Sequence, residues 1–309
     1  MLSSSVMRNP AEALLLSGGL DSSILACILR PKCCITAAYG TAAPDLPFAA
    51  QVAKKYCKSH VEVVLDDARM LELVEQVVQI LKTFDPTEIR NSSVALAGMQ
   101  QAKNDGYSSV MTGDGGDELF AGYNYLSRYF SDPEKLDLEL RRLWEVMHFS
   151  SMKLGEHMGI DVRSPFLDDE FATFAKSLAI DKKAGERAGL KWGKFVLREC
   201  YEPELGAMIA WRPKLAQEQG AATDNFHYYL DRLIDDPAFA SRAKRAQEEG
   251  VKLKSKEHLH YYTLFRSHNS PPKDQVCELR CPDCMACMEY AGRYCRTCGA
   301  FPVTPVRLL

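Results

Sequence analysis

Three segments of this sequence carry residue types at spacings that could do chemistry. In Ser17-Gly18-Gly19-Leu20-Asp21-Ser22-Ser23, two glycines let backbone N–H groups approach an anion, and Ser17 and Ser22 add hydroxyl donors. A helix opening at this point would aim its dipole at the same anion. With Leu16 before it, the segment is expected to hold nucleotide phosphates, and Asp21 is suited to holding Mg²⁺ against their oxygens. The second segment, Thr112-Gly113-Asp114-Gly115-Gly116-Asp117-Glu118, sets three acids among three glycines. Carboxylates beside a triphosphate repel it unless a divalent cation intervenes, so Asp117 is expected as the second Mg²⁺ ligand, with Gly113 beside the nucleotide. The third is a tail in which Cys281-x₂-Cys284 and Cys295-x₂-Cys298 could place four thiolates tetrahedrally on Zn²⁺. Pro282 and Gly299 suit the two knuckle turns. Cys277 and Cys287 stand outside this set, and Cys277-x₃-Cys281-x₂-Cys284 also has an iron–sulfur spacing.

The elements around the first two segments follow from hydrophobic pattern. Short apolar runs at Ala13–Leu16, Cys33–Tyr39, His60–Leu65 and Ser109–Thr112 read as strands. Helical stretches at Ile24–Leu29, Pro47–Lys58, Asp67–Leu81 and Val94–Lys103 separate them. Alternating strands and helices predict an α/β fold with a doubly wound, mostly parallel sheet and ligands at the carboxyl ends of its strands, where both glycine-rich segments fall. From about Lys135 to Asn269 the periodicity is helical with little strand signal. The polar, proline-bearing stretch 269–275 reads as a linker between a domain over 1–268 and a zinc ribbon over 276–309.

The first segment resembles the PP-loop of ATP pyrophosphatases, and the run from Thr112 to Tyr123, TGDGGDELFAGY, resembles a signature of asparagine synthetases. Ala43-Pro44-Asp45-Leu46, Thr87-Glu88-Ile89-Arg90, Val162–Asp168 (VRSPFLD), Lys191–Glu199 (KWGKFVLRE), Ala210–Lys214 (AWRPK) and Lys256–Phe265 resemble further segments of that family, so the likeness covers about residues 11–268. It implies a PP-loop (HUP-like) fold that binds ATP and Mg²⁺ and converts aspartate and ammonia to asparagine, AMP and pyrophosphate. It also implies that Lys194 binds pyrophosphate, that Arg90 belongs to the catalytic set, and that Asp114, where the family often has glutamate, is the general base. The family usually begins with a glutaminase domain, whereas here the PP-loop starts at Ser17; ammonia is therefore expected from elsewhere, for example from a separate glutaminase subunit.

A rival reading keeps the ATP site but adenylates a tRNA base, with the ribbon docking the RNA. The net charge of −3 opposes a general attraction to phosphate backbones, while Arg280, Arg293, Arg296 and Arg307 could form a local basic patch. No apolar run is long enough for a signal peptide or a membrane span, so a cytoplasmic protein is expected. The seven histidines show no HxxxH or HExxH spacing and are expected to be structural.

Overall fold

The computed structural model describes residues 1–288 and 293–307. Five strands form a fully parallel sheet: β1 (Ala13–Leu15), β2 (Cys33–Tyr39), β3 (Ser59–Leu65), β4 (Ser109–Met111) and β5 (Asp161–Arg163), in spatial order β3-β2-β1-β4-β5. The order reverses between β1 and β4, which makes their carboxyl ends the switch point where ligands of such sheets bind. Both glycine-rich segments leave the sheet there.

Strand residues alternate between two cores, as a sheet covered on both faces requires. Leu14, Cys34 and Met111 pack toward helices α1 (Leu20–Leu29) and α2 (Leu46–Tyr56). On the other face Ala13, Cys33, Ile35 and Val110 meet α3 (Asp67–Leu81), α4 (Pro86–Asn104) and residues of the later helix Lys256–His268. Asp85 starts α4, its carboxylate accepting from Thr87 N at 3.0 Å with Pro86 in the first turn, as a capping acid before proline should.

The second half is mainly helical but holds two strand features that the hydrophobic pattern does not predict. One is β5, three half-exposed residues at the sheet edge. The other is an antiparallel hairpin of β6 (Ala184–Arg187) and β7 (Leu190–Gly193), turned by Ala188 and Gly189, both at positive φ. A further helix, α5 (Phe195–Leu205), follows the hairpin, and α6 (Lys256–His268) closes over the α3/α4 face. In the tail, the short strands β8 (Leu279–Arg280) and β9 (Val306–Arg307) pair antiparallel, and Cys281, Cys284, Cys295 and Cys298 join the same buried cluster as α3, α4 and α6. Cys34–Cys57 and Cys277–Cys287 are joined as disulfides, neither of which the sequence pattern paired. Among the described residues no helix is long and apolar enough to cross a membrane.

Candidate active site

The loop after β1 is fixed before it reaches its glycines. Leu16 donates its N–H to Ile35 O at 2.8 Å, and its carbonyl accepts from Thr36 Oγ1 at 2.7 Å. Beyond it, Ser17 and Ser22 lie Oγ to Oγ at 3.1 Å, and Gly19 N–H donates to Ser17 Oγ at 3.2 Å. Gly18 has φ +71°, and a Cβ there would stand 2.4 Å from the backbone nitrogen of Ala49, so glycine is required by conformation and by space. Gly19 caps α1 without a side-chain acceptor. The first-turn N–H groups of α1 therefore lack a capping side chain, which suits them to an anion.

The second loop closes directly onto the first. A Cβ at Gly116 would lie 2.6 Å from the Asp21 carboxyl carbon, and one at Gly113 would lie 3.1 Å from Asp21 Cβ. Gly122 is tighter still, since its Cβ would fall 2.1 Å from both Asp117 Oδ1 and Lys194 Cε. Much of the glycine content of this segment thus serves to bring two acids and a lysine within contact distance.

Lys194 is the centre of that contact. The hairpin ends at Gly193, and Lys194 takes φ +55° while donating its N–H to Phe120 O at 2.7 Å. A left-handed lysine is unfavourable and persists where the surroundings enforce it. Its Nζ, in a side chain 3% exposed, bonds Asp21 and lies 2.6 Å from Asp117 Oδ1, while Lys214 Nζ stands 3.0 Å from Asp117 Oδ2. Burial alone would raise the Asp117 pKa, but the two lysines hold it well below the usual carboxylate range. Burial raises that of Asp21 against the opposing charges of Lys194 and Lys214, with the charge of Asp117 adding to the rise. Burial lowers the lysine's own pKa, and the two aspartates more than offset this.

Other polar residues surround this core. Arg212 pairs with Asp45 at 2.6 Å, donates to Gly18 O at 3.2 Å and lies over the Phe48 ring at 3.8 Å, tying the AWRPK segment to the Ser17–Ser23 loop. Asp114 is half-buried and accepts from Thr112 Oγ1 at 2.9 Å and from Ser151 Oγ; desolvation raises its pKa against the opposing pull of both hydroxyls. The neighbouring Glu118 accepts from Tyr123 OH, and burial pushes its pKa up to about 7. Arg90 is spanned by two carboxylates, Glu218 at 3.1 Å and Glu257 at 2.9 Å, so its hydrogen bonds lead away from the Lys194 centre.

The structure therefore gathers Leu16, Ser17, Gly18, Gly19, Asp21, Ser22, Gly113, Asp117 and Lys194 at one place, with Asp114 on the same loop. It sets Arg90 in a separate ion cluster. Lys214, Ser151, Glu218 and Glu257 escaped assignment from sequence: Lys214 could have been inferred from its position beside Arg212, whereas nothing local marks the others.

The four tail cysteines are buried, with Sγ atoms within 4.8 Å of one another; Cys281–Cys298 is 3.8 Å and Cys284–Cys295 is 3.6 Å. A tetrahedron with metal–sulfur bonds of about 2.3 Å has edges of about 3.8 Å, so the set fits a zinc-sized ion. The two knuckles repeat each other. Met285 N bonds Cys281 O at 2.9 Å and Gly299 N bonds Cys295 O at 2.8 Å, with Met285 and Gly299 both at positive φ. The basic patch anticipated on this tail is reduced, because Arg280 is buried and donates to the carbonyls of Met285 and Gln275.

A parallel sheet with a glycine-serine loop at its switch point, facing largely buried acids bridged by lysine, defines an α/β protein of the PP-loop class. The family model described as asparagine synthase matches residues 6–152 and 136–271, and the chain belongs to that family. It is 30% identical over 276 residues to the glutamine-hydrolysing asparagine synthetase of Bos taurus, covering 82% of this chain and 48% of that protein. It is also 30% identical over 232 residues to asparagine synthetase B of Escherichia coli, covering 68% and 41%. The chain thus spans about half the length of the curated relatives it matches. A predicted subunit of a tRNA methyltransferase from Methanocaldococcus jannaschii is similar at 18% identity over 53% of this chain and 74% of that one, with a TM-score of 0.27.

Proposed function

We propose that this chain is an ATP-dependent amide-forming ligase that adenylates the side-chain carboxylate of aspartate and passes the acyl group to ammonia. The observation that carries the reading is the Lys194 ammonium held between Asp21 of the phosphate loop and Asp117 of the second loop. A carboxylate oxygen attacks the α-phosphorus, the α–β bridging oxygen leaves with pyrophosphate, and ammonia then displaces AMP from the acyl carbon. The α1 amides and the Ser17 and Ser22 hydroxyls bind phosphate oxygens. Lys194 stabilises charge growing on the pyrophosphate, which is positioning plus electrostatics. Asp114, its pKa raised by burial, takes a proton from ammonium before it attacks as ammonia, or from the tetrahedral intermediate afterwards.

A divalent cation suits the same place, since Asp21 Oδ1 is buried without a hydrogen-bond partner among the described residues and both aspartates offer hard oxygen donors. Mg²⁺ held by Asp21 and Asp117 would supply charge neutralisation at the phosphates. Zn²⁺ on Cys281, Cys284, Cys295 and Cys298 would contribute folding energy. Turnover should yield AMP and pyrophosphate, and chromatography of the products decides this: ADP and phosphate would refute the reading.

Ammonia is the nucleophile this reading requires, so the purified 309-residue chain should form amide from aspartate, ATP and ammonium. No amide with ammonium under conditions that support ATP cleavage would contradict this assignment.

A further inference from the structure

The cysteine tail meets the rest of the chain at several places, with Asp283 of the first knuckle against Lys252 and Lys254 and Arg296 against Val146 O, and its second knuckle meets the segment Thr83-Phe84-Asp85. Phe84 N–H donates to Thr297 O at 2.8 Å and Thr83 Oγ1 donates to Arg296 O at 2.7 Å. Both acceptors lie between Cys295 and Cys298, inside the second knuckle. Tyr294, beside the knuckle, donates its hydroxyl to Asp85 Oδ2. The approach is close: a Cβ at Gly299 would stand 2.3 Å from Asp85 Oδ1.

Asp85 is in turn the cap of α4. It is 2% exposed; Oδ1 accepts from Thr87 N at 3.0 Å, and its carbonyl accepts from Ile89 N at 3.0 Å. The first two turns beyond it carry Glu88, whose charge raises the pKa of Asp114, and Arg90, which pairs with Glu218 and Glu257. Phe84 packs against His258, Tyr262 and Phe265 of α6 at ring separations of 5.4, 5.0 and 5.2 Å, and α6 supplies Glu257. Both partners of the Arg90–Glu257 pair therefore depend on residues 83–85, and the tail fixes those residues.

We propose that the metal-bound tail is a positioning element for the start of α4, where Glu88 faces the loop of Asp114 and Arg90 holds its ion cluster, acting through Tyr294 and Asp85. Metal on the four thiolates fixes the second knuckle, the knuckle holds the 83–85 segment, and that segment sets Glu88 and Arg90. This assigns the tail a role inside the chain. The substrate part of the test rests on the ligase reading above; the exchange part does not.

The test is amide hydrogen exchange on the full, zinc-loaded chain, comparing the unaltered protein with Tyr294→Phe and with Cys295→Ser combined with Cys298→Ser. Exchange at Thr87 and Ile89 should quicken about tenfold in Tyr294→Phe, as loss of a hydrogen bond to a carboxylate implies, with the Leu20–Leu29 helix unchanged. The double cysteine variant, where it folds, should show a larger effect at the same amides. In steady state, Tyr294→Phe should raise KM for the carboxylate substrate about tenfold while kcat and KM for ATP stay within about twofold. Unchanged exchange at Thr87 and Ile89 in Tyr294→Phe would overturn the proposal, as would equal loosening of Leu20–Leu29 or a matching rise in KM for ATP. If aspartate is not turned over at all, the ligase reading fails and the exchange data still decide the positioning role.

Discussion

Lys194→Met should lower kcat for AMP formation on the order of 10³-fold, the scale seen when a donor aimed at developing charge is removed. The substitution keeps the length of the side chain, so the loss falls on the ammonium that bonds Asp21 and Asp117. It also leaves two largely buried aspartates close together, with Lys214 still paired to Asp117. Removing one partner of a buried ion pair costs about 3–5 kcal/mol, so stability should fall as well, and a parallel thermal melt separates the two effects. Asp117→Asn should inactivate the protein comparably and should also cost stability, since it removes a carboxylate that Lys194 and Lys214 stabilise in its charged form. More than a tenth of normal turnover in folded Lys194→Met would remove the lysine from the chemistry.

The second large effect concerns the tail. Purified chain should hold one equivalent of zinc. Combining Cys295→Ser with Cys298→Ser should release it and lower the melting temperature by about 10 °C, from several kcal/mol of metal-linked folding energy. The size of the drop follows from burial, because the four cysteines pack in the cluster shared by α3, α4 and α6. Cys277→Ser with Cys287→Ser should leave zinc bound, since those two sulfurs pair with each other. Iron in place of zinc, or zinc retained by the Cys295/Cys298 variant, would contradict the assignment.

The sheet and the phosphate loop were legible because their signals are local. Cys33–Tyr39 and Asp67–Leu81 have the bounds that periodicity predicts, and the SGGLDSS segment sits between strand and helix as its residue types require. The hairpin was not legible. Its turn uses Ala188 where asparagine would announce a two-residue turn at positive φ, and its strands alternate weakly. Strand β5 is only three residues at an edge, and its pairing with β4 is set by tertiary contact. At the site, the acids and Lys194 could be named from sequence, the lysine through family resemblance, yet the reason for so many glycines appears only when the Gly116 and Gly122 contacts are seen. The pairing of Arg90 with Glu218 and Glu257 spans 128 and 167 residues; no local pattern encodes it. The attachment of the tail through Asp85 is hidden for the same reason.

The most direct test of the central claim is exchange of labelled pyrophosphate into ATP, run without ammonia. Adenylation is reversible while the acyl-adenylate stays bound, so exchange should appear when aspartate is added and stay near background with glutamate, asparagine or tRNA. Exchange that ignores aspartate and responds to tRNA would contradict the account and place the activated group on RNA.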